Sequence, residues 1–260
     1  MAVSPVGAAA AELAAGGCVA APAEAAELWD ASGGDVRVLE GFVARRLRGE
    51  PLAWITGRTA FAGIDLRVDP GVYVPRWQSE PLARRAAAAL PHGGTGLDLC
   101  CGCGAVGAVM VHRRPAATVI ATDADAAAVR CARRNGLDAL LGDLFDPLPI
   151  ELLGEVDVVA AVAPYVPTPA MHLLPRDTVA FEPAMALDGG PDGTSVVARI
   201  VRGAARWLGM DGVVLLEVGG EQFATVARLL EEEGFEVEEP MTDEEGDVRG
   251  VVGHRGGGNG

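Results

Sequence analysis

Lysine is missing from this 260-residue chain, and all 21 of its basic residues are arginine. Together with heavy use of alanine and glycine, this reflects the codon bias of a GC-rich genome rather than a function. The acidic residues number 36, so the formal net charge is −15. A protein that binds nucleic acid regardless of sequence needs a basic surface to neutralise phosphates. The composition therefore argues against direct nucleic-acid binding, although it leaves a protein partner or a small ligand open.

Long hydrophobic runs are also missing. Half of the residues are apolar, yet no run approaches the roughly 18 residues that a membrane-spanning helix needs. The N-terminal stretch MAVSPVGAAAAELAAGG has no basic residue, and Glu12 interrupts it, so we expect no signal peptide. These observations predict a soluble protein of the cytoplasm with no membrane partner, long enough to bury a substantial core.

Cysteine is scarce, and three of the five cysteines lie in Cys100-Cys101-Gly102-Cys103. An odd number at so tight a spacing does not build a disulfide framework, which favours a reducing compartment. The CxxC spacing of Cys100 and Cys103 leaves a zinc site as an alternative to small residues in a loop. No second CxxC or CxxH pair follows, so we predict no metal site.

The chain divides into three regions by pattern. Residues 8–48 show helical periodicity interrupted by Gly-Gly stops, with Asp35 as a helix N-cap. In residues 51–79, alternating polar and apolar residues around Asp69-Pro70-Gly71 predict a β-hairpin. From about residue 83, short apolar strands alternate with helices, which predicts an α/β fold with a parallel, doubly wound sheet. We expect a helical domain at 1–50, a linker with a hairpin at 51–79, a ligand-binding domain at 80–255 and a disordered tail at 256–260.

The first strand of the sheet ends in the glycine-rich run LDLCCGCGAVG, residues 97–107. Small residues there let backbone N–H groups approach a ligand, although Gly102 and Gly104 could simply pack a helix against a strand. The next two strands end at Asp123 and Asp143, and a carboxylate at the first of these can bind ribose hydroxyls. We predict a nucleoside site at this sheet edge, with helix N-caps as the alternative reading of both acids.

The type of nucleoside follows from Asp98, which lies inside the first strand just before the glycine turn. An acid at that place would repel the pyrophosphate of a dinucleotide. It suits the cationic amino group and sulfonium of S-adenosylmethionine. The sequence therefore favours S-adenosylmethionine as the cofactor.

Several segments taken in order resemble the HemK/PrmC-type protein-(glutamine-N5) methyltransferases. They are PLAWITG (51–57), FAG (61–63), VDPGVYVPR (68–76), Ser79-Glu80 and ALDGGPDG (186–193). The resemblance runs from about Pro51 to Val252, and the helical start is loosely similar to the family's N-terminal substrate-docking domain. It implies a Rossmann-like class I methyltransferase that uses S-adenosylmethionine. Its acceptor would be the glutamine in the Gly-Gly-Gln motif of a peptide-chain release factor.

The resemblance also implies roles for individual residues. Cys100, Gly102 and Gly104 would surround the methionine part of the cofactor, and Asp123 would hold its ribose. Asp143 with Leu144 would lie by the adenine, and Phe61, Arg76 and Ser79 fall where the family lines the cofactor pocket between the hairpin and the sheet. For Arg76, a surface salt bridge is the alternative, and Glu182-Pro183 matches a family pair whose role looks structural.

The resemblance breaks at the end of the fourth strand, where the family carries Asn-Pro-Pro-Tyr and this chain carries Val162-Ala163-Pro164-Tyr165. In the family, the asparagine oxygen and the next carbonyl accept hydrogen bonds from the target nitrogen and orient it. Ala163 keeps its carbonyl, but Val162 offers no acceptor. An unpaired amide N–H in a desolvated site costs about 1–3 kcal/mol, a rate factor of roughly ten to a hundred or more.

Three interpretations remain open from the sequence. The chain is a methyltransferase acting on the release-factor glutamine, with Pro164 and Tyr165 shaping the slot and the carbonyl of Ala163 orienting the nitrogen. Alternatively, the same site methylates a small-molecule acceptor, for which His172, Asp177 or Glu182 could serve as a base. In the third interpretation, the chain binds the cofactor without catalysis.

Overall fold

The computed structural model describes residues 4–174 and 176–256. Residues 257–260 of the predicted tail lie outside this range. The helices are α1 Pro5–Ala15, α2 Ala21–Ala31, α3 Val36–Leu47, α4 Leu52–Thr56, α5 Glu80–Ala89, α6 Ala105–Arg113, α7 Ala126–Arg134, α8 Arg176–Phe181, α9 Ser195–Trp207 and α10 Phe223–Glu232. The strands are β1 Arg58–Phe61, β2 Ile64–Arg67, β3 Thr95–Leu99, β4 Thr118–Asp123, β5 Asp138–Leu141, β6 Val156–Ala161, β7 Leu208–Glu217, β8 Phe235–Val237, β9 Met241–Thr242 and β10 Val248–Arg255.

The first three helices pack around a small apolar core of their own. Asp35 is the N-cap of α3, as predicted, and accepts hydrogen bonds from the N–H groups of Arg37 and Val38. Ile55 of α4 belongs to the same core, so this short helix connects the helical unit to the rest of the chain. The fully buried members of the core are Leu13, Ala25 and Leu28.

The hairpin forms, but its turn is not where the sequence predicted it. β1 and β2 pair antiparallel around Ala62-Gly63, whose φ angles of 52° and 91° suit a tight two-residue turn. The predicted turn residues instead make a separate turn after β2, in which Val72 N–H donates to the carbonyl of Asp69. Pro70 has no N–H to donate to a ladder, so the strand could not continue through it.

Two side chains attach the hairpin region to its surroundings. Asn135, at the end of α7, bonds both backbone groups of Arg67 at 2.9 Å and donates to the carbonyl of Cys103 at 2.8 Å. Trp54 of α4 donates its indole N–H to the carbonyl of Val72 at 2.9 Å, inside the core. The hairpin and its following turn are therefore fixed over the sheet edge where the glycine-rich loop begins.

The large sheet has the order β5-β4-β3-β6-β7-β10-β8, with β9 pairing to β10. The strands from β5 to β7 are parallel, as predicted. The prediction was wrong for β10, which runs antiparallel to β7, β8 and β9. Only about ten residues separate β8 from β10. That is too short for a parallel crossover connection with a helix, so the chain turns back on itself.

Apolar layers cover both faces of the sheet. Alternate residues of β6 and β7 point to opposite layers, with Ala160 and Leu215 in one and Ala161 and Leu216 in the other. The chain moves outward from β3 to β5 and then returns to the other side of β3 with β6. Ligands of open α/β sheets bind at such a switch point, outside the carboxyl ends of the strands. Across the described part of the chain, no helix has the length and hydrophobicity to span a membrane.

Candidate active site

A cavity opens at the switch point, between the strand ends and the hairpin. We call it the strand-end cavity. Its walls include the ends of β3, β4, β5 and β6, and its roof includes Phe61 of the hairpin and Ser79. Of the predicted site residues, those that line it are Phe61, Asp98, Cys100, Gly102, Asp123, Asp143, Leu144, Val162 and Pro164.

Asp98 is the most deeply buried acid of this cavity, with 1% of its surface exposed. Its Oδ2 accepts one hydrogen bond, from the N–H of Gly107 at 2.8 Å. Burial raises the pKa of Asp98 to about 8; the nearby charge of Asp123 adds to the rise, and the Gly107 N–H opposes it. Gly107 permits this contact because a Cβ there would lie 3.1 Å from the same oxygen. Asp98 has no cationic partner among the described residues, which fits a site that receives a cationic ligand.

The glycine-rich loop is held in place by Asp123. The Oδ2 of Asp123 accepts the N–H of Gly102 at 2.9 Å, and its Oδ1 accepts the N–H of Asp125 at 2.8 Å. Burial raises the pKa of Asp123, and these backbone N–H groups oppose the rise. Gly104, which was also predicted to contact the cofactor, has φ 83° and faces Leu137 behind the cavity, where a Cβ would lie 2.4 Å from that side chain. Its position favours a packing role.

The third acid lies at the outer end of the cavity. Asp143 pairs with Arg199 at 2.6 Å, and about half of each side chain is exposed. Leu144 beside it is buried and adopts φ 49°. Together with Val196 and Met185, it gives this end of the cavity an apolar wall. A flat heterocycle flanked by one polar group would fit here.

These features match the parts of S-adenosylmethionine. The buried Asp98 suits the cationic amino-acid end, the carboxylate of Asp123 suits a ribose, and the apolar end near Leu144 suits an adenine. The residues present therefore fit this cofactor, although the assignment of each residue to a part of it stays a prediction.

A second cleft adjoins the strand-end cavity, and we call it the acceptor cleft. It lies between the helical N-terminal unit and the ends of β6 and β7, with a volume of about 660 Å³ against about 170 Å³ for the strand-end cavity. Tyr73, Val162 and Ala186 line both. The two cavities are therefore direct neighbours at Val162.

The segment Val162–Tyr165 divides between the two cavities. Pro164 lines the strand-end cavity, Ala163 and Tyr165 line the acceptor cleft, and Val162 lines both. Gln222 holds the segment by donating to the carbonyl of Tyr165 at 2.8 Å. The glycines of the ALDGGPDG motif pack against the same backbone, since a Cβ on Gly193 would lie 2.2 Å from the Tyr165 carbonyl oxygen.

Arg76 lies in the lining of the acceptor cleft rather than that of the strand-end cavity. Its guanidinium pairs with Glu182 at 2.6 Å and lies over the ring of Tyr73, 5.1 Å from its centroid. Glu182 is buried and also accepts the N–H of Val74 at 3.1 Å. This pair ties the segment after the hairpin to the loop that follows α8. The salt-bridge alternative for Arg76 agrees with this geometry, as does the structural role suggested for Glu182.

Sequence reasoning missed Glu217, the last residue of β7. Only 5% of its surface is exposed, it lines the acceptor cleft, and its Oε2 has no hydrogen-bond partner among the described residues. Burial raises its pKa; the hydroxyls of Ser79 and Tyr165 lie near enough to oppose the rise, as does Arg249. The hydroxyl of Ser79 is near Glu217 but is not placed to form a hydrogen bond with it or with another described residue. The sequence feature that could have indicated Glu217 is its position directly after the apolar run GVVLL.

The other residues considered for chemistry lie elsewhere. His172 is exposed in a short 3-10 helix, Thr168–Leu173, and lines neither cavity. The side chain of Asp177 lies outside the described part of the structure. Burial raises the pKa of the Cys101 and Cys103 thiols, so both stay protonated. Among residues 4–174 and 176–256, no three metal-ligating side chains come together as a metal site.

Comparisons with known proteins bear on this geometry. Residues 78–141 match the family described as Methyltransferase small domain. A release factor glutamine methyltransferase of Geobacter sulfurreducens is 31% identical over 207 residues, 77% of this chain and 72% of that protein. One from Moorella thermoacetica is 35% identical over 247 residues, 90% of this chain and 82% of that protein.

A further relative carries a different name. It is a 4-amino-L-phenylalanine/4-methylamino-L-phenylalanine methyltransferase of Streptomyces pristinaespiralis, 37% identical over 204 residues, 74% of this chain and 69% of that protein. Among solved structures, a ribosomal protein L11 methylase from Lactobacillus delbrueckii superposes with a TM-score of 0.55 at 17% identity, over 74% of this chain and 86% of that one. The structural likeness shows a shared fold.

Proposed function

The chain belongs to the release factor glutamine methyltransferase family, the HemK/PrmC type, and on that premise we propose that it methylates the glutamine of a release-factor Gly-Gly-Gln motif. The family makes it an S-adenosylmethionine-dependent methyltransferase with a Rossmann-like class I fold. The observation that supports the acceptor is the junction of the two cavities. The acceptor cleft adjoins the strand-end cavity at Val162, and its volume is about 660 Å³.

In this proposal, the strand-end cavity holds the cofactor. When bound, S-adenosylmethionine supplies a methyl group made electrophilic by its sulfonium. Asp98 offers an anionic partner to the cationic end, Asp123 binds the ribose hydroxyls, and Asp143 with Leu144 lies by the adenine. Cys100 and Gly102 form the loop beside the methionine part, under Phe61. The hairpin covers the part of this cavity next to Phe61.

The residues after β6 orient the acceptor. The carbonyl of Ala163 accepts a hydrogen bond from the acceptor nitrogen, and Pro164 and Tyr165 shape the slot. This is catalysis by orientation of a nitrogen lone pair rather than by removal of a proton. Val162 contributes only shape, because it has no hydrogen-bonding group.

The N-terminal helices supply the outer wall for a protein acceptor. Glu27, Arg46 and Arg58 of this region line the acceptor cleft. The alignment with the Moorella relative covers 90% of this chain, which supports a shared role for the helical unit. We assign residues 1–50 to substrate docking, residues 51–79 to the linker and residues 80–255 to cofactor binding and methyl transfer.

A small aromatic amine is the second candidate acceptor. One relative acts, by its name, on 4-amino-L-phenylalanine, and Val162 lacks the side-chain acceptor that the family uses for an amide. Tyr73, Tyr165 and the apolar Val162 give the junction of the cavities a surface on which an aromatic ring could pack.

The test is transfer of a labelled methyl group from S-adenosylmethionine to a purified release factor, with the site located by mass spectrometry. The control is the same factor with glutamate in place of the Gly-Gly-Gln glutamine, because it lacks the amide nitrogen. We expect label in the first and none in the second. 4-Amino-L-phenylalanine is tested in parallel, and label there alone would assign the second candidate. If neither takes label while calorimetry shows cofactor binding, the acceptor proposal fails and the non-catalytic interpretation gains.

A further inference from the structure

The carboxylate of Glu217 lies beside the position that Val162 leaves without a hydrogen-bonding group. β6 and β7 are parallel neighbours in which Ala160 pairs with Leu215 and Ala161 with Leu216. One residue further, the same register brings Val162 level with Glu217. Neighbouring strands are separated by about 4.8 Å. The two side chains therefore start from adjacent points at the carboxyl edge of the sheet.

Both side chains also point to the same side of the sheet. Side chains alternate along a strand, so Val162 follows Ala160 and Glu217 follows Leu215. Ala160 and Leu215 share one apolar layer, and Val162 packs against that layer. Glu217 accordingly faces the hairpin side, where the acceptor cleft runs past Val162.

The environment of Glu217 is unusual for a structural acid. A buried carboxylate in a folded protein normally has a cation or several hydrogen-bond donors. Glu182 is buried to a similar degree, 4% against 5%, and bonds both Val74 N–H and Arg76. By contrast, Glu217 Oε2 has no partner among the described residues, although the oxygen is shielded from solvent.

We propose that Glu217 is a specificity-determining residue whose free carboxylate oxygen accepts a hydrogen bond from the N–H of the methyl acceptor. It takes over the function that a side-chain acceptor at position 162 would otherwise provide. Together with the carbonyl of Ala163, it gives the acceptor nitrogen two hydrogen-bond acceptors and so fixes its lone pair. The inference rests on the proposed methyl transfer and adds the residue that selects an N–H acceptor.

The groups around Glu217 are compatible with this role. Tyr165 and Tyr73 face it from the substrate side, and Arg249 approaches from β10. Arg249 pairs with Asp243 at 2.8 Å, so its charge is already largely compensated. Both tyrosines have pKa values raised by burial, Tyr73 to about 12, so they stay neutral over the working range of pH.

The test compares Glu217→Met, Glu217→Gln, Val162→Asn and the double variant Glu217→Met/Val162→Asn. Methionine has a similar length but no acceptor oxygen. We therefore expect methyl transfer to fall by about tenfold or more, measured with whichever probe the parent protein labels, the release factor or 4-amino-L-phenylalanine. Asparagine at position 162 supplies an acceptor next to the lost one and should restore most of the rate in the double variant. Val162→Asn alone should change the rate much less than it does in the Glu217→Met background.

Two further readouts separate this role from a structural one. Glu217→Gln keeps an acceptor oxygen that does not titrate, so at saturating cofactor its rate should depend less on pH than that of the parent protein. Glu217→Met removes a buried carboxylate that has one oxygen without a hydrogen-bond partner, so its melting temperature should equal or exceed that of the parent protein. The matched control Glu182→Met removes a carboxylate that has partners and should melt at a lower temperature.

A Glu217→Met variant with parental activity, a loss that Val162→Asn does not restore, or a lowered melting temperature overturns the inference. If the parent protein labels neither probe, the proposed acceptors fail. In that case, calorimetry measures the affinity of each probe for the protein saturated with S-adenosylhomocysteine. Binding that weakens about tenfold in Glu217→Met supports the inference. Equal binding in both proteins, or no binding to either, overturns it.

Discussion

At the scale of single residues, Asp98 links cofactor binding to pH. Burial raises its pKa to about 8 in the ligand-free protein, and the cationic end of S-adenosylmethionine favours its ionised form. Binding below that pH must therefore release a proton. We expect cofactor affinity to rise between pH 5.5 and 7.5, by no more than about tenfold per unit.

Calorimetry across this range tests the prediction, with buffers of different ionisation enthalpy to count the released proton. Asp98→Asn should bind more weakly, with little pH dependence left. Asp138→Asn is the control, because this aspartate is exposed on the outer strand. An affinity that is flat with pH in the parent protein would show that Asp98 is ionised before the cofactor arrives.

At the scale of elements, the ALDGGPDG motif sets the position of the loop after β6. Gly193 has φ 76°, and a Cβ there would lie 2.2 Å from the Tyr165 carbonyl oxygen. Gly234 has φ 86° with nothing within 4 Å of a Cβ. Alanine at either position meets the same left-handed backbone strain, about 1–2 kcal/mol. Only Gly193→Ala must also displace Tyr165.

We therefore expect Gly193→Ala to lose methyl-transfer rate by roughly a hundredfold, the usual cost of moving a reacting group by about 1 Å. Gly234→Ala should keep its rate and lose only stability. Initial rates with labelled cofactor measure methyl transfer in both variants, and calorimetric cofactor affinities show whether cofactor binding has changed. Equal rates in the two variants would mean that the motif does not position the acceptor slot.

Most of these elements were readable from the sequence, because each has its own apolar period and stop signal. The predicted alternation of short strands and helices after about residue 83 is present, for example in the strands at 118–123 and 156–161 and the helix at 195–207. The hairpin turn was misplaced because Ala62-Gly63 is a weaker signal than Asp69-Pro70-Gly71. The antiparallel edge was missed because strand direction depends on pairing between distant segments, which a local pattern does not carry.

The candidate site was readable to the extent that its residues follow strand ends. Asp98, Asp123 and Asp143 line one cavity, as their positions suggested. Glu217 was missed for a physical reason. Its importance comes from a missing hydrogen bond and from the register between β6 and β7, and neither is visible in one strand's sequence.

At the scale of the whole molecule, several buried acids act in the same direction on stability. The folded-state pKa values of Asp98, Asp123 and Glu217 are all raised by burial. Such groups favour the folded state fully below their unfolded pKa, near 4, and lose that contribution as pH rises through the folded value. For Asp98 this window reaches about 8. Arginine does not titrate in this window, so the 21 arginines of the chain do not offset the change.

We expect the ligand-free protein to melt at a lower temperature at pH 8 than at pH 5.5. A change of about 2 kcal/mol corresponds to roughly 4–8 °C for a chain of this size. Calorimetric melting curves at a series of pH values measure it, and Asp98→Asn should show a smaller slope. A melting temperature that rises steadily with pH to 8 would contradict the prediction. Bound S-adenosylmethionine should diminish the loss.

The shared wall at Tyr73, Val162 and Ala186 has one more consequence. A single molecule that joins a nucleoside thioether to an amine or amide by a short tether could occupy both cavities at once. Once one half is bound, the other is held at a high effective concentration next to its own site, so the joined compound should bind far more tightly than either half. The tether length that binds best would measure the distance across which the methyl group must pass.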